Sequence, residues 1–238
     1  MAGCICGRCL RGGEAMGGVD WTGWAGFGAA FAVFLLSHAV PVRPPVRPWL
    51  VARLGAGGFT LAYSVLSVAV LVWLIGAAGR APHVPLWGWA AWQAWVPLVA
   101  MLPVCVIIAL AVGRPNPFSF GGAGNARFDP ARPGIVGWMR HPLLVALAIW
   151  AGAHLLANGD LAHVILFGVF AGFALLGQRV IDRRRQREMG ARWAALRAGM
   201  VRGTVWRRGD ALRLAAGVVL YLALLMLHPV VIGVSPLP

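Results

Sequence analysis

The chain has no lysine and only seven acidic residues, against twenty-one arginines, and its charged residues amount to 12%. A soluble domain carries roughly 25%, so there is too little charge here to cover a water-facing surface. The acids are scattered, with no paired carboxylates at catalytic spacing, no Gly-rich phosphate loop and no Ser/His/Asp order that reads as a triad. Hydrolytic and nucleotide-driven chemistry therefore lack their usual machinery. Cysteine is scarce too. Cys105 stands alone in an apolar run and reads as a small core residue. Cys4, Cys6 and Cys9 form C-x-C-x-x-C, which lacks the second half of a zinc site.

What is present is mostly apolar: 60% hydrophobic residues and a mean hydropathy of +0.76. That composition specifies a polytopic membrane protein. A net charge of +14 would elsewhere suggest nucleic acid, but the arginines lie in short stretches between apolar runs, not on one water-exposed face. Nucleic acid is set aside as a partner, and the lipid bilayer takes its place.

Six apolar runs approach the length of about 20 residues that a spanning helix needs. They cover Trp21 to Val40, Phe59 to Ala78, Trp92 to Val112, Pro142 to Ala157, Leu161 to Gly177 and Leu212 to Gly233. The expected fold is an all-α bundle of about six transmembrane helices. The fourth and fifth runs are short and joined only by Asn158-Gly159-Asp160, so they read either as two thin spans or as a re-entrant hairpin. Eighteen of the twenty-one arginines fall in segments on one side of this arrangement: three after the first run, four after the third and eleven from Arg179 to Arg213. Basic residues in short loops stay cytoplasmic. Both termini are therefore expected in the periplasm.

Residues 1–18 read as an N-terminal extension, with translation from Met16 an equally consistent start, and residues 19–238 as one transmembrane domain. The basic leader is not read as a signal peptide, because more charge follows the first run than precedes it. Pro41 to Pro48 holds four prolines and should end the first helix abruptly. The Gly/Pro-rich cytoplasmic loop 113–141 has the length of a functional lid or a disordered segment. Segment 179–208 reads as a basic amphipathic helix whose Trp193, Leu196, Met200 and Val201 form an apolar stripe for the membrane surface.

With so few charges inside the spans, histidines become the candidates for chemistry, since ionisable groups at membrane depth are costly and mark sites. His38 closes the first run, His141 opens the fourth, and His154 follows thirteen residues later. His163 and His228 belong to the same outer half as His154, and His83 lies in an outer loop. Simple depth counting pairs His38 with His141. His154 reads equally well as a cap hydrogen-bonded to Asn158 or Asp160.

His38, then Met139-Arg140-His141-Pro142, Ala153-His154-Leu155-Leu156-Ala157-Asn158-Gly159-Asp160, and the ending Gly233-Val234-Ser235-Pro236-Leu237-Pro238 resemble the NnrU family over nearly everything after Met16. The resemblance implies a bacterial inner-membrane protein associated with denitrification and with nitric oxide reductase expression or maturation. The chain is also similar to the plant 15-cis-zeta-carotene isomerases, which implies haem b, His38 and His154 as axial ligands, and a lipophilic polyene substrate. Those isomerases carry a cysteine where this chain has Ala151, so their redox-dependent ligand exchange is not implied. Arg140 and His141 are further cofactor-binding candidates, Arg140 toward a haem propionate. The R-H-P motif also resembles isoprenylcysteine-type membrane methyltransferases, with Gly190-Ala191-Arg192-Trp193 as the second motif, but the acidic pattern of that group is missing around Asp182 and Glu188. A transporter would show paired broken helices in internal repeats; none is legible.

Overall fold

The computed structural model describes residues 21–203 and 209–238. The cysteine cluster and the alternative start at Met16 lie outside the described residues. Every element among the described residues is helical, apart from an isolated bridge between Pro85 and Asp160. The chain divides into two compact units, the first ending at Pro82 and the second beginning at His83.

The first unit is a pair of helices, α1 (Trp21–Ala39) and α2 (Val46–Arg80). The proline run does stop α1, but α2 begins inside it. Pro48 falls in the first turn of α2, where a missing N–H costs no helical hydrogen bond. Gly55 breaks α2 with φ 70° and ψ 166°, a left-handed backbone that side chains disfavour. The apolar run Phe59 to Ala78 is the part beyond this break, and its Phe59, Val70, Leu74, Ala77 and Ala78 are buried along with Phe27 and Ala30 of α1.

The second unit holds α3 (Ala91–Ala111), α4 (Pro142–Ala157), α5 (Leu161–Met189), α6 (Ala191–Ala198) and α7 (Asp210–Val231). α3 packs on α7 and α4, and α4 on α5, so the order across the unit is α7, α3, α4, α5. Within a membrane, lipid tails are as apolar as the helices, so close backbone approach drives packing more than hydrophobicity does. α4 follows that rule: of its five buried residues, Ala146, Ala151 and Ala153 are alanines. Five helices, α1, α2, α3, α5 and α7, are long and apolar enough to cross a bilayer, and the sixteen-residue α4 is the short sixth. The protein is a multi-pass membrane helix bundle.

Two features of the arginine-rich segment differ from expectation. α5 does not end at Gly177 but runs on to Met189, because nothing between Gln178 and Met189 breaks a helix; Gly190, at φ 55°, ends it. Three of the four residues of the expected apolar stripe turn inward, while Val201 stays exposed. Trp193 is buried with Phe118, Phe128 and Val136, and Leu196 and Met200 pack against the same cluster. Loop 113–141 is accordingly neither an open lid nor structureless. It has its own small core, closed by Val201 N–H donating to Pro130 O (3.0 Å) and Gly203 N–H to Gly137 O (3.4 Å).

Chain direction places all the described arginines of the second unit at one end: after α3, before α4, in the last turns of α5, on α6 and in the first turn of α7. Arg213 Nη1 donates to Ala109 O and Val112 O, both at 2.8 Å, which covers the free carbonyls at the end of α3 with a cation. Arg114 pairs with Asp210 across the same end.

Candidate functional site

The two ends of α4 carry the candidate residues. At the arginine-rich end, His141 is the N-cap and Pro142 the first helical residue. His141 is only 2% exposed, and both of its ring nitrogens are engaged. Nε2 lies 3.0 Å from Asp182 Oδ1, and Nδ1 lies 3.1 Å from Ser119 Oγ. A carboxylate only accepts, so Nε2 carries the proton and Nδ1 accepts from the serine hydroxyl. Arg140 donates to the same carboxylate through Nη2 at 2.6 Å and Nε at 3.4 Å. Asn116 completes the knot, its Nδ2 donating to Arg140 O at 2.9 Å and its Oδ1 accepting from Phe118 N–H at 3.1 Å.

Sequence reading saw no Ser/His/Asp set, because Ser119 and Asp182 lie 22 and 41 positions from His141. Only the folding of loop 113–141 onto α5 brings them together. The set does not have the form of a nucleophilic triad. Ser119 is buried, and Asp182 is already neutralised by Arg140. Burial holds the His141 imidazole below the ordinary histidine value of 6.5; Asp182 opposes that shift and Arg140 adds to it. The positive end of the α4 dipole also favours the neutral ring. These polar atoms tie the loop, α4 and α5 together. A cavity of about 330 Å³ lies nearby, walled mainly by Ile107, Leu110, Ile135, Val136 and Met139. Arg140 and His141 are not among its lining residues, and its charged pair, Arg114 and Asp210, is already joined.

At the other end of α4, His154 is arranged differently. Its Nδ1 lies 2.8 Å from Trp150 O, one helical turn back, and its ring sits 5.3 Å from both Trp150 and Phe167. The expected cap contacts are not made by the imidazole. Asn158 Nδ2 donates to the His154 carbonyl at 2.7 Å, while Asp160 caps α5 and accepts from His163 Nδ1 at 2.6 Å. The turn between α4 and α5 is locked by Leu86 N–H donating to Gly159 O (2.7 Å) and Leu161 N–H to Val84 O (2.9 Å). Trp87 lies so close to Gly159 that a side chain there would collide with its carbonyl and indole.

In the first unit His38 repeats the His154 arrangement. Its Nδ1 lies 2.8 Å from Phe34 O, again four residues back, and its ring lies 4.2 Å from Phe34 and 5.9 Å from Tyr63. A carbonyl can only accept, so each Nδ1 donates, and Nε2 is the nitrogen left to act as a ligand. Among the described residues neither Nε2 has a hydrogen-bond partner. Metal-binding histidines are commonly held in this way, with one N–H on a backbone carbonyl and the other nitrogen directed outward. His141, which depth counting had paired with His38, has no nitrogen to spare. His228 Nδ1 is held by Val234 O at 2.7 Å through the C-terminal tail.

The family model described as NnrU protein matches residues 27–236, which takes in His38, the Arg140-His141-Pro142 motif, the α4 to α5 turn and the C-terminal tail. The chain belongs to the NnrU family. No curated protein and no solved structure gives a match. Two of the motifs through which the sequence resembled NnrU proteins, Met139-Arg140-His141-Pro142 and the run Ala153 to Asp160, lie at the two ends of α4. Ala151, one turn before His154, is fully buried and leaves no thiol beside the imidazole.

Proposed function

We propose that this NnrU-family protein binds haem b in a bacterial inner membrane through His38 and His154, and that it serves the expression or maturation of a nitric oxide reductase. The observation that supports haem is the shared setting of the two imidazoles. Each donates Nδ1–H to the carbonyl four residues back, lies against aromatic rings, and has no hydrogen-bond partner for Nε2 among the described residues. A soft, neutral nitrogen in apolar surroundings suits haem iron. When bound, haem would supply a redox-active iron whose ligation the protein sets. Phe34 and Tyr63 lie against the His38 ring, Trp150 and Phe167 lie against the His154 ring, and each Nδ1–H bond holds its ring in one tautomer. Arg140 does not take part in this reading: it lies fourteen residues before His154, about 21 Å along α4, and its Nε and Nη2 serve Asp182, so a propionate of the same haem is out of its reach. Denitrification rests on the family resemblance alone. Haem-dependent isomerisation of a lipophilic polyene is the second reading, weakened by Ala151.

The test is the visible spectrum of detergent-purified protein produced with haem available. Wild type should show a Soret band with low-spin features, and His38→Ala and His154→Ala should each lose or shift it. A wild-type protein without a Soret band refutes the haem reading, and an unchanged band in both variants refutes the ligand assignment.

A further inference from the structure

The continuation of α5 past Gly177 produces a surface that an apolar span followed by a separate basic helix would not have. Val169, Phe173, Leu176, Val180, Arg183 and Arg187 are spaced alternately four and three residues apart. At about 100° per residue they fall within about 40° of a single line along the helix. All six are exposed, and the four apolar ones are between 43 and 63% exposed. Arg179 lies about 80° off the line, one turn before Arg183, and is exposed too.

The ridge changes character at one point. From Val169 to Val180 it is apolar over about 16 Å, the thickness of one leaflet in a hydrocarbon core of roughly 30 Å. Beyond that it is cationic. Arg183, Arg179 and Arg187 have no ion-pair partner among the described residues, whereas the neighbouring Arg184 and Arg185 are both held by Glu188. Other acids at this end are engaged elsewhere: Asp182 with Arg140 and His141, Asp210 with Arg114, and Asp129 in accepting from Ala131 N–H. Arg185 turns to the loop and donates to Ser119 O, Arg184 is paired with Glu188 while staying exposed, and Arg179, Arg183 and Arg187 are exposed without an ion-pair partner among the described residues. Long arginine stems can lie along the last apolar turn while the guanidinium groups stay at headgroup depth.

We propose that this outer ridge of α5 is a binding site for an anionic phospholipid, with an acyl chain along Val169, Phe173, Leu176 and Val180 and the phosphate held by Arg179, Arg183 and Arg187. The occupant is a lipid and not a soluble phosphate, because half of the site is apolar and one leaflet long. The site is separate from both ends of α4 and does not depend on haem.

The experiment is native mass spectrometry of the delipidated full-length protein in detergent with equimolar phosphatidylglycerol and phosphatidylcholine of identical chains. Wild type should retain the anionic lipid over the zwitterionic one by at least about fivefold, the effect of one basic residue at an anionic surface. The triple variant Arg179→Gln/Arg183→Gln/Arg187→Gln should lose that preference. Arg132→Gln/Arg192→Gln/Arg202→Gln, which removes equal charge from the same end, should keep it, and excess glycerol 3-phosphate should not compete. Equal retention of the two lipids by wild type overturns the proposal. So does a preference that survives in the ridge variant, falls equally in the control variant, or is abolished by glycerol 3-phosphate. If the triple variant does not fold, Arg183→Gln alone should lower the preference by about fivefold, and no change there is equally fatal.

Discussion

His141 and His154 sit at the two ends of the same sixteen-residue helix and are built for opposite purposes. The first is sealed, with a hydroxyl on one nitrogen and a carboxylate on the other, and it joins three segments distant in sequence. The second has Nδ1 bonded to a carbonyl of its own helix and, among the described residues, no hydrogen-bond partner for Nε2, with Trp150 and Phe167 against its ring. A buried imidazole satisfied on both sides stabilises; one satisfied on a single side is available to a ligand. Position in a motif does not separate the two roles, since both histidines lie in family motifs, and hydrogen-bond accounting does.

The largest effect that sharpens this contrast is expected from His141→Ala. It leaves Ser119 and Asp182 without their buried partner and removes a packed ring, so it should cost about 3 kcal/mol. The melting temperature in detergent should fall by several degrees while any Soret band of the folded fraction keeps its position. A shifted band with unchanged stability would reverse the roles assigned to the two ends of α4.

A smaller effect follows from pH. The His141 imidazole is held below 6.5 by burial, so the unfolded chain binds a proton before the folded one does. Stability from this residue is then fully present above about pH 6.5 and is lost as pH falls toward the lower folded value. Melting temperatures measured between pH 8 and pH 5 should decline below that point in wild type and decline less in His141→Gln. Parallel curves for the two proteins would break the link between burial and protonation.

The smallest effect belongs to the other end. Asn158→Ala removes one hydrogen bond, from Nδ2 to the His154 carbonyl, and leaves the imidazole untouched. It should cost about 1 kcal/mol and leave the spectrum unchanged. A loss of Soret intensity matching that of His154→Ala would mean that the turn, and not the ring's own anchor, positions His154.

How much of this was legible beforehand differs by residue type. α1, α3, α4 and α7 begin and end close to the limits of their apolar runs, because a bilayer selects for length and hydropathy and both are written locally. The first turn of α2 inside the proline run was missed by treating every proline as a breaker, when proline in a first turn breaks nothing. The apolar run stops at Gly177 but α5 continues twelve residues further, because a helix ends at a breaker such as Gly190 and not where hydropathy falls. Ser119 carried no local signal. The one hint was that Asp182 is a lone acid among arginines, which gives it a reason to pair inward.

The amino-acid sequence by itself determined the helices, the family, the crowding of arginine at one end of the second unit and the identity of the histidines worth testing. These follow from local hydropathy, breaker residues and motif spacing. Only the tertiary structure decided which histidine is spent and which is available, that the stripe of Trp193, Leu196 and Met200 turns onto the loop, and that the outward face of α5 passes from apolar to unpaired arginine. The reason is physical: a side chain's role depends on which partners satisfy it, and here those partners arrive from tens of residues away.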